Sequence, residues 1–395
     1  MLFLKFIAYC ICYLVYPLSF LMPRSRRVFV FGSFHGAFND NTKYLFLYAT
    51  RNLRPQYRPV WISTRRQTVA HVRRLGGEAH WVASPRGLWL ALRGQWWFVN
   101  AYTSDVAFFL SGGAKIVNLW HGLPWKCIEF GIKKGALAKR YNRTDRWDVF
   151  FHPACFIRPD YVASGGAKVS EIFAGAFRID VGQCLPCGYP RNGLLGRTTD
   201  EVMTFIGQYE PASTLALAKK IQTYTKTFIY MPTWRDSQRN LFAKGLDLGA
   251  MNEVMAQQGA LAIMKPHPNT ARPDHTAYSN LIFMESTADV YAILPLTDVL
   301  ITDYSSVMFD YPLMASKAMI LYQYDYDEYV TEREFNFPLE GNIIGRKVTS
   351  FDELLAVIRN GDYAMGEEER AAFLRKFWGE TAGVDSCKYL IERLL

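Results

Sequence analysis

Two series of short apolar runs, each interleaved with amphipathic stretches, constrain the fold of this chain more than any other feature. In the first half the runs are VFVFGS from Val28, RPVWIS from Arg58, AHWVA from Ala79, WWFVNA from Trp96, KIVNLW from Lys115 and DVFFHP from Asp148. Helical stretches fall between several of them, over 43–53, 64–75 and 161–173. The second half repeats the pattern with TFIYMPTW from Thr227, LAIMKPHP from Leu261, LIFME from Leu281, DVLITDY from Asp298 and AMILYQ from Ala318, with helices expected over 289–296 and 305–315. Such alternation predicts an α/β protein with two mostly parallel sheets, each covered by helices on both faces. A Gly-Tyr-Pro-Arg-Asn-Gly stretch over 188–193 has the turn chemistry of a hinge. The expected organisation is a hydrophobic segment over 1–23, a first domain over 24–190 and a second over 191–395. Its tail from Phe351 reads as two or three amphipathic helices opening on the capping pattern Ser350-Phe351-Asp352-Glu353.

The charge is divided unevenly along the chain. Through Pro190 there are 25 Lys plus Arg against 9 Asp plus Glu, a net of +16, and the remainder has 20 against 27, a net of −7. A basic half suits nucleic acid, anionic lipid or a polyanionic substrate. From Leu2 to Met22 the only charge is Lys5, and basic Arg24, Arg26 and Arg27 follow. A segment of this kind fits a short bilayer span or a helix lying in the interface, with the body of the protein on the cytoplasmic side. The alternative is a buried first helix. Seven scattered cysteines, among them a single CxxC at Cys184 and Cys187, fit a reducing compartment and structural thiols.

Four polar segments stand at the ends of expected strands. In NLWHGLPWK, His121 ends an apolar run and precedes Gly122, a position from which an imidazole can take a proton from a hydroxyl. In YMPTWRD, Arg235 is placed to clamp phosphate oxygens with its forked guanidinium. MKPHPN sets Lys265 and His267, both able to neutralise phosphate, between prolines. In ITDYSSVMFDY, Ser305 is an N-cap type, and the turn with its two hydroxyls is a candidate seat for a phosphate or diphosphate. Each segment taken alone is compatible with a purely structural role. Walker A, HExxH, GxSxG and paired zinc motifs do not occur, which argues against P-loop phosphate transfer, zinc hydrolysis and an α/β-hydrolase. The basic half contains no recognisable nucleic-acid module.

Together these segments resemble the CDP-glycerol glycerophosphotransferase family, the teichoic acid glycerol-phosphate primases and polymerases with their capsule-synthesis relatives. The correspondence runs from about Val28 through Tyr329: FGSFHGAFNDNTKYL, LWHGLPWK, GYPRN, YMPTWRD, KPHP and ITDYSSVMFDY, in that order. The resemblance implies a GT-B fold, two Rossmann-like domains facing an interdomain cleft, with the donor held mainly by the second and a membrane-associating N-terminal helix. It implies His121 as the base and His267 as a phosphate-binding or second catalytic histidine. Arg235, Ser305 and Ser306 match positions around the donor diphosphate, with Lys265 beside them and Asp303 ordering the turn, while Gly122 and Lys126 fall on the acceptor side. Leu123 and Glu334 depart from the family pattern, which often has Thr and Gly there.

The implied reaction moves glycerol phosphate, or a related polyol phosphate, from a CDP-alcohol to a polyanionic or lipid-linked glycan acceptor and releases CMP. It requires no metal or other cofactor and no nucleic acid, and it takes place at an anionic membrane surface. A GT-B glycosyltransferase using a nucleotide sugar and a non-catalytic membrane-bound polyanion-binding scaffold are the alternative readings.

Overall fold

In the computed structural model, which describes residues 2–233, 245–265, 278–285 and 288–395, the chain divides into two units. One comprises Met1–Gly193 with Val384–Leu395, the other Leu194–Gly383. The first unit begins with α1 (Leu2–Ser19) and continues through β1 (Ser25–Phe31), α2 (Asp40–Asn52), β2 (Arg58–Ser63), α3 (Arg66–Arg74), β3 (Glu78–Trp81), α4 (Pro85–Arg93), β4 (Gly94–Val99) and β5 (Lys115–Asn118). It then runs through α5 (Gly135–Tyr141), α6 (Arg146–Phe151), β6 (Tyr161–Ser164), α7 (Ala167–Phe177) and β7 (Cys184–Pro186). Its seven strands lie in the order β3-β2-β1-β4-β5-β6-β7, all parallel.

The second unit contains α8 (Thr199–Tyr209), α9 (Ala212–Ile221), β8 (Lys226–Met231), α10 (Leu248–Gln257), β9 (Ala260–Met264), β10 (Leu281–Phe283) and β11 (Val299–Thr302). It continues with α11 (Val307–Asp310), β12 (Ala318–Tyr322), α12 (Tyr326–Glu332), β13 (Arg346–Val348), α13 (Phe351–Asn360) and α14 (Glu367–Phe377). The six strands, again parallel, follow the order β10-β9-β8-β11-β12-β13. Both sheets reverse direction beside their first strand, between β1 and β4 and between β8 and β11. In open α/β sheets the carboxyl ends of the strands at such a reversal are where ligands bind.

Side chains alternate between two buried layers. Phe29, Phe31, Trp61 and Phe98 face one core, while Val28, Val30, Val60, Ile62, Trp97 and Val99 face the other. The last helix, α15 (Ser386–Leu394), adds Cys387, Leu390 and Ile391 to the first of these layers. The segment from Val384 therefore belongs with the first unit, whereas the sequence places everything to residue 395 in the second domain. The capping pattern ahead of α13 is formed, with Ser350 Oγ accepting from Glu353 N at 3.2 Å.

Several expectations change. DVFFHP is helix α6, capped by Asp145, whose carboxylate accepts from Asp148 N at 3.0 Å. The stretch from Tyr161 begins as strand β6 and becomes helical only after Gly165-Gly166. The run over 289–296 forms two short 3-10 turns. No described helix is long and apolar enough to cross a membrane. Helix α1 instead packs one side against the first unit, with Tyr9, Tyr13 and Tyr16 within 6.2 Å of the Phe108 ring and Phe6 stacked 5.2 Å from Phe150. The bilayer-span reading of the N-terminal segment is thus corrected.

Candidate active site

At the carboxyl end of the first sheet, polar loops after β1, β4 and β5 are tied into one network. Asn100, just past β4, accepts Thr42 N at 3.0 Å and donates to Ser33 Oγ at 2.7 Å, and Ser33 Oγ donates to Asn39 Oδ1 at 2.7 Å. Asp105 Oδ2 accepts the amides of Asn100 and Ala101, both at 2.9 Å. Burial pushes the Asp105 carboxyl up to about 7 against the lowering effect of these amides. After β5, Asn118 Oδ1 accepts Trp120 N at 2.9 Å. Asn41, at the start of α2, donates from Nδ2 to the carbonyls of Leu119 and Trp120 at 3.3 and 2.8 Å.

Arg191 closes this network from the far end of the unit. Its backbone amide donates to Asn41 Oδ1 at 3.1 Å, and its guanidinium, 4% exposed, meets Asp40 Oδ1 at 2.8 Å. The backbone is unusual at the same place. His35, Asp40 and Trp120 hold φ of 53°, 58° and 50°, values that favour glycine, and Gly122 sits at 137°. Non-glycine residues in that region cost of order 1–3 kcal/mol each and persist where surrounding contacts impose them, which happens disproportionately at functional sites.

His121 stands on this platform. Its ring stacks on Trp120 with centroids 4.3 Å apart, and Trp120 is itself wedged against Phe173 and Phe177. The imidazole reaches solvent, yet crowding by protein atoms lowers its pKa below the ordinary value. Asp40 opposes that effect, Arg191 reinforces it, and a hydrogen bond with the Asn100 backbone opposes it. His121 is an exposed residue, and with its pKa held low the imidazole is uncharged near neutrality and able to accept a proton. Gly122, buried, accepts Tyr189 OH on its carbonyl at 3.3 Å, and the Lys126 ammonium lies 5.8 Å from the Trp125 ring centroid.

In the second unit the loops after β8 and β11 are joined by Asp303. Its buried carboxylate accepts Thr233 N at 2.9 and 3.1 Å and also Tyr304 N. Tyr304 stacks on Tyr329 at 4.0 Å and donates to Asp325 at 3.1 Å. Ser305 and Ser306 follow, both partly exposed. Ser306, not Ser305, occupies the N-cap position of α11, and its hydroxyl makes no capping bond. The helix is also short, four residues followed by a 3-10 turn at Tyr311–Leu313, so the expected long capped helix is absent. The amides of Ser305, Ser306 and Val307 donate to nothing among the described residues. Lys265, at the end of β9, donates from Nζ to the Glu285 carbonyl at 3.1 Å. Arg235 and His267 lie outside the described residues. Among the described residues no group of three or more His, Cys, Asp or Glu could hold a metal ion.

The structure therefore brings His121 and Gly122 together with Asp40, Asn41, Asn100 and Arg191 in the first unit, and Asp303, Ser305 and Ser306 with Thr233 in the second. Sequence reasoning assigned no role to Asp40, Asn100 or Arg191. The signal for two of them was present in the FNDN and GYPRN segments, but a pair 151 residues apart has no local signature.

Two doubly wound parallel sheets with polar loops at their reversal points define a GT-B-like architecture. Solved structures agree: the wall teichoic acid polymerase TagF superposes with a TM-score of 0.74 at 23% identity, covering 99% of this chain and 96% of that one. The chain matches the family CDP-Glycerol:Poly(glycerophosphate) glycerophosphotransferase over residues 14–389 and belongs to it. Among relatives, the teichoic acid glycerol-phosphate transferase of Staphylococcus aureus is 26% identical over 92% of this chain and 92% of its own length. A teichoic acid poly(glycerol phosphate) polymerase of Bacillus spizizenii is 25% identical over 97% and 95%. The teichoic acid ribitol-phosphate polymerase TarK of Staphylococcus aureus is 31% identical over 66% of this chain and 48% of its own length.

Proposed function

We propose that this enzyme transfers glycerol phosphate from CDP-glycerol to a hydroxyl of a teichoic acid-like acceptor. The acceptor oxygen attacks the phosphorus that bears glycerol. The bond from that phosphorus to the bridging oxygen breaks, and CMP leaves with the electron pair. His121 takes the hydroxyl proton. The observation that carries this role is its setting: an accessible imidazole on a platform fixed by Asn41, Asn100 and Arg191, with its pKa held low. A base so placed contributes roughly 10²–10⁴-fold.

In the second unit, the amides of Ser305–Val307, which are unengaged among the described residues, suit phosphate oxygens, and Asp303 holds their loop to that of Thr233. Donor oxygens then find backbone N–H groups, two hydroxyls and, at the end of β9 on the far side of β8, Lys265. Arg235 and His267 complete this reading as cations for the departing CMP phosphate. Gly122 and Lys126 take the acceptor side.

The enzyme acts at the cytoplasmic face of the cell membrane. What supports this is α1, which turns Leu4, Ile7, Ile11, Leu14 and Leu18 outward at helical spacing, with Leu4 71% exposed, and the turn just after it, where Leu21 is 78% exposed. An apolar helix face beside a basic domain binds anionic bilayers in the plane of the interface. Support for the donor comes from the family and its glycerol-phosphate relatives; the ribitol-phosphate relatives make CDP-ribitol the donor to test against it. The test is CMP release with each CDP-alcohol and a defined acceptor, with the product weighed. Increments of glycerol phosphate are expected. Increments of ribitol phosphate, or a glycosidic product, would refute the assignment.

A further inference from the structure

Behind α1 the first unit contains a cavity of about 590 Å³ that has no part in the transfer chemistry. Its walls are aromatic and aliphatic: Tyr13 and Tyr16 from α1, Phe20 from the turn after it, Phe108 from the turn before β5, Val149 from α6 and Phe156 after that helix. Arg143 and Arg158 line the same space. We propose that this cavity takes one hydrocarbon chain of an anionic membrane amphiphile, with Arg143 and Arg158 holding its phosphate.

Charge complementarity favours that occupant. Both arginines are exposed, and neither meets a carboxylate among the described residues; Arg143 lies against the Phe156 ring at 4.8 Å. The one acid lining the cavity, Asp160, is already neutralised, by Lys115 at 2.9 Å and by Ile116 N at 2.8 Å. Two guanidiniums beside an apolar hollow match a phosphate attached to a chain, since guanidinium binds phosphate by paired hydrogen bonds. A free phosphate leaves the aromatic walls unused, and an uncharged lipid leaves the guanidiniums unused.

Access is also provided. Tyr13 and Phe20 line the cavity and are themselves exposed, so its wall continues into the outward apolar face of α1. The proposal uses the interfacial placement of α1 as the route by which a lipid enters, and the experiment separates the two. A cavity of this volume lies within the range of small-ligand sites.

The probe is dodecyl phosphate below its micelle-forming concentration, titrated calorimetrically into the full-length protein, with dodecyl maltoside and inorganic phosphate as controls. Dodecyl phosphate is expected to bind and the controls to bind at least 10-fold more weakly, given that hydrogen bonds to charged groups each contribute roughly a factor of 10 or more. The double variant Arg143→Gln/Arg158→Gln should weaken dodecyl phosphate roughly 10–100-fold. Val149→Trp, which fills the cavity, should weaken it as well, with thermal melts confirming that both variants fold. Equal affinity for dodecyl maltoside, or unchanged binding in the arginine variant, overturns the proposal. Sedimentation with phosphatidylglycerol vesicles is measured in parallel. Vesicle binding without probe binding refutes the cavity and leaves the interfacial helix standing; probe binding without vesicle binding supports the cavity and refutes that route of entry.

Discussion

Replacing Arg191 with methionine removes the guanidinium that faces Asp40 while keeping most of the buried stem. A hydrogen bond to a charged group contributes about 1.5–3 kcal/mol, and stripping one partner from a fully buried pair costs about 3–5 kcal/mol. Asp40 keeps 25% of its side chain in water and is resolvated when Arg191 is lost, so the lower part of these ranges applies, about 2 kcal/mol. For a folding unit of this size that corresponds to a fall in melting temperature of roughly 4–8 °C. The electrostatic consequence is more diagnostic. Arg191 lowers the His121 pKa and Asp40 raises it, so Arg191→Met must move the imidazole upward and Asp40→Asn must move it further down. A general base works when deprotonated, so the acid limb of the rate profile falls as pH drops through the imidazole pKa. That limb should shift to higher pH in Arg191→Met and to lower pH in Asp40→Asn. CMP release measured across pH, supported by NMR titration of His121, reads both. Shifts of the same sign in the two variants, or no shift in either, would refute the placement of His121 between these two charges.

Further outcomes follow from the same network and its neighbours. Asp105 has a folded pKa of about 7 against an ordinary value near 4, so the folded state holds the extra proton between those limits. Its contribution is therefore fully present below about pH 4 and lost as pH rises through about 7, and Asp105→Asn should flatten this part of the melting-temperature profile. Asp303→Asn loses charge-assisted bonds to Thr233 N and Tyr304 N, and should cost about 1–3 kcal/mol and weaken CDP-glycerol binding measured by calorimetry. Arg24 donates to the carbonyls of Ala91, Gly94, Leu110 and Gly112, fastening the chain just after α1. Arg24→Met should therefore loosen α1 and speed proteolysis near residue 23.

Of the strands that sequence reading found, β1 to β5 and β8 to β12, three (β9, β11 and β12) are apolar runs buried throughout and most of the others carry a buried apolar stretch. What escaped it lacks that signature. β13 is Arg-Lys-Val at the edge of its sheet, with its first two side chains exposed, β7 is only Cys-Leu-Pro, and β6 runs through Gly165-Gly166 straight into α7. DVFFHP imitates a strand because Phe150 and Phe151 are apolar for another reason: they pack on Phe6, Tyr9 and Tyr13 of α1. Asp145 at its N-cap decides in favour of helix.

The site was legible where one strand end carries its own chemistry, as at His121 and at Asp303 to Ser306. Its supports were not, because Asp40 and Arg191 meet only after the whole first unit has folded. The serines of the second unit also show how far a local signal reaches. Ser305 reads as a cap, but Pro312 follows so closely that α11 ends after one turn, and the amides that are unengaged among the described residues, not the helix, are what the turn offers.

The role of His121 as base is tested most directly by CMP release from CDP-glycerol by wild type and His121→Ala, with donor binding measured separately. Phosphodiester product is expected from the wild type, with a loss of roughly 10²–10⁴-fold in the variant and donor affinity close to unchanged. Normal turnover by His121→Ala with a verified acceptor would contradict that role.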